Sequence, residues 1–255
     1  MSRYRFLSWP LTFFEQSAEI RRDDFPIPER AKKTKYPIRA LRYWWLRCAI
    51  HEEHARSDRP LVIVDVGCER GMSKRIVGEL SGACWIGLDM TWIEEIIRHA
   101  RYQQLHRCDF DRELPLADAT ADIIIFSHVL EHLPRPDFTL GELSRILKPG
   151  GMLLLGVPVA PHWIARWREQ QFRREFRCGT RWLGRHAHAF WPDRIRRMAQ
   201  ENGLAVEFLA GTYLLRRQGS PLENHAGWIR LNQAWGALFP SLSQELCVQL
   251  RKAAV

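Results

Sequence analysis

The chain is predicted to fold as an α/β protein, a mostly parallel sheet with helices on both faces. Three observations carry this. Between residues 60 and 157, short apolar runs alternate with helical stretches; the first run empties into a glycine turn that opens a helix; and a later helix stops on Lys148-Pro149-Gly150-Gly151. Continuous rather than alternating apolar runs are expected of strands buried on both faces. The predicted strands are 61–66, 84–89, 104–109, 122–127 and 152–157, with helices over 73–80, 92–101 and 139–147 between them.

Two more strands are predicted over 204–210 and 246–251, after a helix over 192–202 that ends at Gly203. The domain so formed spans residues 59–255 and carries an insertion over about 160–190, rich in arginine and tryptophan. Before it lies an arm, residues 1–58, basic and aromatic, with a predicted helix over 38–56 that holds Tyr43, Trp44, Trp45 and Leu46. This arm reads as a lid or a packing segment.

Composition narrows the class. The chain has 255 residues, 46% of them apolar and 26% charged, which excludes a disordered protein and leaves room for a real core. Six scattered cysteines form no CxxC pair, and no Cys/His spacing resembles a zinc site, so reduced thiols and no metal are expected. Trp9-Pro10 and Glu15 interrupt the first apolar stretch, and no later run approaches the ~20 residues of a membrane span. These features fit a cytoplasmic protein. The net charge of +9 points to an anionic partner, whether a phosphorylated small molecule, a membrane surface or nucleic acid.

The chemistry-bearing residues sit at the ends of the strands. In Asp65-Val66-Gly67-Cys68-Glu69-Arg70-Gly71, an apolar strand delivers the chain to a turn where two glycines allow tight backbone and close ligand approach, just before a helix N-terminus. About twenty residues later, Asp89 ends the second strand. A carboxylate there can accept both hydroxyl hydrogens of a ribose. Cys108-Asp109-Phe110 follows the third strand, where a carboxylate and a ring suit an adenine, and Ser127-His128 follows the fourth. The turn lacks the GxGxxG of dinucleotide enzymes.

Taken together, Asp65-x-Gly67-Cys68-x-x-Gly71, the strand-end Asp89, Cys108-Asp109-Phe110, the segment from Asp122 to Leu133, and Leu147-Lys148-Pro149-Gly150-Gly151 resemble, in order and spacing, the class I S-adenosylmethionine-dependent methyltransferases of the type 11 group. The resemblance covers residues 60–157. It implies a Rossmann-like class I methyltransferase fold with a seven-stranded sheet, and S-adenosylmethionine as cofactor. It further implies that Asp65, Gly67 and Gly71 line the methionine end, that Asp89 binds the ribose, that Asp109 and Phe110 hold the adenine, and that Ser127 flanks the methionine or the acceptor. Cys68 and Met90 complete the implied cofactor-binding set. Most of the family has glycine where this chain has Glu69, a side chain able to crowd the cofactor, although relatives tolerate substitution there.

Methyl transfer needs alignment more than acid–base chemistry, but a hydroxyl acceptor can call for a base, and His128 is the expected one. His186 and His188 are expected to close over the site from the other side. Nine of the eleven tryptophans lie outside 60–157, and aromatic walls with arginines suit a small-molecule acceptor such as a saccharide, quinone or lipid-linked intermediate. The same mixture suits RNA as a second choice, through phosphate contacts and stacking, and the basic, tryptophan-rich arm is compatible with peripheral membrane contact. A third reading is a cofactor-binding protein without turnover.

Overall fold

The computed structural model describes residues 3–177, 186–215 and 217–254. Of the arginine- and tryptophan-rich insertion, Cys178, Arg181, Trp182 and Arg185 lie outside these residues, as do the side chains of Arg173, Phe176 and Arg177. Strands β1 (Val62–Val66), β2 (Cys84–Asp89), β3 (Gln104–Arg107), β4 (Ala121–Ser127), β5 (Leu147–Pro158), β6 (Leu204–Gly211) and β7 (Glu245–Lys252) form one sheet in the order β3-β2-β1-β4-β5-β7-β6. Neighbours from β3 to β5 are parallel, while β7 runs antiparallel between β5 and β6. The chain winds outward from β1 in both directions. A crevice therefore opens beyond the carboxyl ends of β1 and β4, where ligands of such sheets bind.

Alternate residues of the central strands feed two separate cores. Ile63, Ile123, Ile125, Met152 and Leu154 face one side, and Val64, Ile124, Phe126, Leu153 and Leu155 the other. Helices α6 (Pro136–Ile146) and α8 (Pro192–Glu201) cover the second side, through Leu140, Leu143, Ile195 and Met198. The first side is covered by α4 (Met72–Val77), α9 (Ala226–Leu238) and the N-terminal arm. The arm contains α1 (Thr12–Gln16), α2 (Glu29–Lys32) and α3 (Leu41–His54), and it buries Phe14, Ile20, Phe25, Trp44 and Leu46 almost completely. Each such side chain contributes about 1.5–3 kcal/mol, so the arm is a structural layer. Trp9, Trp44 and Trp45 belong to this core and are unavailable as walls of an acceptor pocket.

Several boundaries differ from expectation for local reasons. The third helix starts earlier, at Pro136, because proline pre-sets the first helical φ and has no N–H to satisfy there. Strand β5 begins at Leu147, which pairs with Ala121 before a register shift past the turn at Gly150. The helix expected over 92–101 shrinks to α5 (Glu94–Ile97) and a single 3₁₀ turn, Arg98–Ala100. Arg101 then takes a left-handed conformation (φ 53°) that turns Tyr102 inward. Helix α7 (His162–Arg177) fills most of the insertion and leaves Trp163 and Trp167 exposed, 74% and 58%. An isolated bridge between Val159 and Phe190 closes the insertion at its base. No helix among the described residues is long and apolar enough to cross a membrane.

One charged contact fastens the arm to the antiparallel strand β7. Arg42 on α3 pairs with Glu245 at the start of β7, their side chains only 11% and 2% exposed. Removing one member of a buried pair leaves the other uncompensated. Arg42→Ala is expected to lower unfolding free energy by about 3 kcal/mol, measured by urea titration, with the apolar isostere Arg42→Met costing less.

Candidate active site

The glycine turn is shaped by contacts that leave no room for side chains. Gly67 has φ 83° and Gly71 φ 63°, the left-handed region that favours glycine. A Cβ at Gly67 would lie 2.3 Å from Val129 Cγ2, and one at Gly71 would lie 2.3 Å from Ala100 Cβ. The N–H groups of Gly67 and Cys68 donate to the Leu88 carbonyl (2.8 and 3.3 Å), which ties the turn to the end of β2.

Asp89 is built into the same turn. Its Oδ2 accepts from the Glu69 N–H at 2.8 Å and its Oδ1 from the Thr91 N–H at 3.1 Å. Each oxygen keeps a lone pair, and the residue is half-exposed at the crevice. Two fixed hydrogen bonds orient the carboxylate before any ligand arrives. Met90, beside it, is 53% exposed.

Asp65 lies deeper, only 2% exposed, and its Oδ2 accepts a 2.6 Å hydrogen bond from the Tyr102 hydroxyl. Burial pushes its pKa up to about 7 and the Asp89 charge adds to this, against the lowering effect of hydrogen bonds from Tyr102 and Ser73. Tyr102 itself carried no sequence signal, since it stands outside any periodic run. It reaches Asp65 only because the preceding helix breaks at Arg101.

The other expected cofactor residues divide. Cys68 is buried, its thiol pushed well up by burial, and its Sγ would meet a Cβ at Gly87 at 3.0 Å, so it packs the turn against β2. Asp109 is exposed and accepts from the Asp111 N–H at 3.0 Å. Phe110 is corrected by the structure. Its ring is 3% exposed in the second core with Leu114 and Leu140, and it presents no open face to an adenine. Its carbonyl accepts from Thr139 Oγ1 at 3.0 Å, which fixes the loop. Ser127 is half-buried at the end of β4, over Gly156, where a Cβ would come within 2.6 Å of its Oγ. Glu69 has φ 26°, while its side chain is 61% exposed and pairs with Arg70 at 3.6 Å. The glycine habit of this position is thus a backbone preference, and the side chain points into solvent.

His128 sits at φ 60° with Nδ1 3.3 Å from Glu131 Oε1 and Nε2 3.6 Å from Glu245 Oε2. Burial and the Arg42 charge push its pKa down, but Glu245 and Glu131 outweigh them and the net shift is upward. Both ring nitrogens of His128 face carboxylates, which holds the ring against Glu131 and Glu245. It joins the end of β4 to the pair Arg42–Glu245, neither of which was singled out in sequence because they lie 203 residues apart. The segment of His186 and His188 is tied to the end of β4, as the Ala187 and His188 N–H groups donate to the Glu131 carbonyl at 2.7 and 3.2 Å.

Two substitutions check this geometry. Because the folded pKa of Asp65 is raised above its ordinary value of 3.8, the folded ligand-free protein loses stability as pH rises from about 4 to about 7, at up to about 1.4 kcal/mol per pH unit. Asp65→Asn cannot ionise and keeps the Tyr102 bond. Its melting temperature should exceed that of the parent by a margin that widens from pH 5 to pH 7 and then levels off. Glu69→Gly relieves a left-handed residue and should stabilise by about 1 kcal/mol, read as a rise in melting temperature.

Comparison with known proteins speaks to the family and the fold. The family model described as a methyltransferase domain matches residues 38–208, well over half of the chain. A Mycolicibacterium smegmatis protein named as an S-adenosylmethionine-dependent methyltransferase is 28% identical over 136 residues, covering 52% of each chain. The ubiquinone biosynthesis O-methyltransferase of Coxiella burnetii is 35% identical over 97 residues, 36% of this chain and 41% of that one. The chain thus spans about half the length, or less, of these curated relatives. Among solved structures, an S-adenosylmethionine-dependent methyltransferase of Thermotoga maritima shares the fold with a TM-score of 0.54 at 16% identity, covering 84% of this chain and 91% of that one. The residues present fit the family's cofactor, for Gly67 and Gly71 hold the left-handed backbone of the turn and Asp89 holds two acceptor oxygens at its edge. The chain belongs to the class I S-adenosylmethionine-dependent methyltransferases.

Proposed function

We propose that this protein transfers a methyl group from S-adenosylmethionine to an oxygen, nitrogen or carbon atom of a small-molecule acceptor, of the saccharide, quinone or lipid-linked kind. The observation that carries the reading is Asp89, pinned by the Glu69 and Thr91 N–H groups at the mouth of the glycine turn. When bound, the cofactor supplies a methyl already activated by its sulfonium. The chain has to orient it, shut out water and hold the acceptor in line. In this reading Asp89 receives the ribose hydroxyls, Gly67, Cys68 and Gly71 give backbone room to the methionine end, and Asp65 with Met90 and Ser127 lines the remainder. Asp109 contributes to the adenine side, with the ring role of Phe110 withdrawn. His128 positions the end of β4 through Glu131 and Glu245.

The acceptor side is read from α7 and the segment 186–191, which follow β5 on the other side of β1 from Asp89 in the strand order. Trp163 and Trp167, one helical turn apart and exposed, are flanked by exposed Arg166 and Arg168. An apolar surface rimmed by cations suits an acceptor with a flat or lipid-like body and an anionic group. The same exposure favours RNA as a second reading, since stacking and phosphate contacts use such pairs. The two differ in their salt response, which is steep for a polyanion and shallow for one charged group.

Calorimetry with S-adenosylhomocysteine tests the first half of the proposal. Saturable 1:1 binding is expected, weakened about tenfold in Asp89→Asn and about a hundredfold in Asp89→Ala. No binding by the parent protein would sink the reading, and binding without turnover across a panel of phenolic, saccharide and lipid acceptors would favour a cofactor-binding protein without catalysis. For the second half, Trp163→Ala with Trp167→Ala should raise KM for the acceptor and leave cofactor affinity unchanged.

A further inference from the structure

Beside the crevice lies a cluster that cofactor binding does not use. Glu131, His132 and His186 bring one carboxylate oxygen and two imidazole nitrogens within 4.8 Å of one another. They come from different parts of the chain. Glu131 and His132 belong to the 3₁₀ turn Leu130–His132 after β4, and His186 follows the insertion. Backbone bonds hold the two segments together, from the Ala187 and His188 N–H groups to the Glu131 carbonyl. The rings of His132 and His186 meet edge to face, their centroids 5.0 Å apart.

Glu131 adds an independent observation. Its side chain is 1% exposed, and its Oε1 lies 3.3 Å from His128 Nδ1 and 3.9 Å from His132 Nε2. Its Oε2 is fully buried and has no hydrogen-bond partner among the described residues. A buried carboxylate oxygen without a donor is costly unless something positive meets it. Burial across the cluster runs from Glu131, enclosed, through His132, half-buried, to His186, exposed. One end is therefore fixed and dry, while the other faces solvent.

We propose that Glu131, His132 and His186 form a binding site for a divalent transition metal ion, with open coordination positions toward the acceptor. Two imidazoles and one carboxylate suit zinc, cobalt, manganese or iron, whereas magnesium and calcium favour all-oxygen sets. At bond lengths of about 2.1 Å the ligand atoms would stand about 3.0–3.4 Å apart, so closure from the present spacing asks for movement of about an ångström. The exposed His186 side chain is free to make it.

The site's use rests on the methyltransferase reading. Strand order puts the cluster on the β4 side of β1 and Asp89 on the β2 side, so an acceptor hydroxyl held by the ion lies across the crevice from the cofactor. Coordination would acidify that hydroxyl, which gives its proton to solvent. An oxygen lone pair then forms the new bond to the methyl carbon as the carbon–sulfur bond breaks, and the sulfonium sulfur takes that electron pair.

The test uses the full chain, stripped with a chelator and titrated with Co²⁺ alone, then with Zn²⁺ in competition. Visible d–d absorption saturating at one equivalent is expected, displaced by Zn²⁺ and weakened at least tenfold in His186→Ala and in His132→Gln. His186 is exposed, so its variant should keep the parent's melting temperature. Absence of saturable Co²⁺ or Zn²⁺ binding while S-adenosylhomocysteine still binds would overturn the site, as would full affinity in both variants. Metal binding in a protein that binds no S-adenosylhomocysteine would uphold the site and overturn its proposed role.

Discussion

The buried carboxylate of Glu245 is the constraint on which the rest of the crevice depends. It opens β7, the strand that runs against the direction of its neighbours, and it is met by Arg42 from the arm and by His128 from the end of β4. Three segments far apart in sequence are thereby held to one point. A charge so enclosed is tolerated only when its partners are fixed, so each segment limits where the others can go. His128 adopts its left-handed backbone within this frame, and its ring meets Glu131 at 3.3 Å.

The two carboxylates on the cofactor side are handled in opposite ways. Asp89 stays at the surface of the crevice and is oriented by peptide N–H groups, which leaves it able to accept further hydrogen bonds. Asp65 is withdrawn behind it and bonded to Tyr102, with burial favouring its neutral form. The nearer group is ready for ligand, while the deeper one keeps the turn from accumulating negative charge.

Much of this was legible in the sequence, and the reason is local. Gly67, Gly71 and Asp89 sit at strand ends whose apolar runs announce themselves, and short-range backbone geometry dictates the residue types. The seven strands were legible for the same reason, although β3 ended sooner and β5 began earlier than expected. Illegible were the contacts that join distant segments. Arg42 with Glu245, and Tyr102 with Asp65, depend on tertiary approach that no spacing reveals. Phe110 misled because a ring beside a strand-end aspartate looks like a ligand platform, whereas the loop after β3 turns it into the core. Trp44 and Trp45 misled in the same direction, since aromatic residues outside the central sheet serve burial as readily as recognition.

The arm has a consequence for where this protein's identity resides. The family match begins at residue 38, yet the layer over the first face of the sheet draws on Phe6, Phe14, Ile20 and Phe25, which precede it. Asp24 also pairs with Arg75 on α4, and its carbonyl accepts from Arg70 at 3.3 Å, so the arm reaches the helix that the glycine turn opens. The unit that is recognised as a methyltransferase is therefore smaller than the unit that folds. The matched segment carries the turn and its carboxylates, while the cohesion of the first face of the sheet also draws on aromatic residues that lie before it.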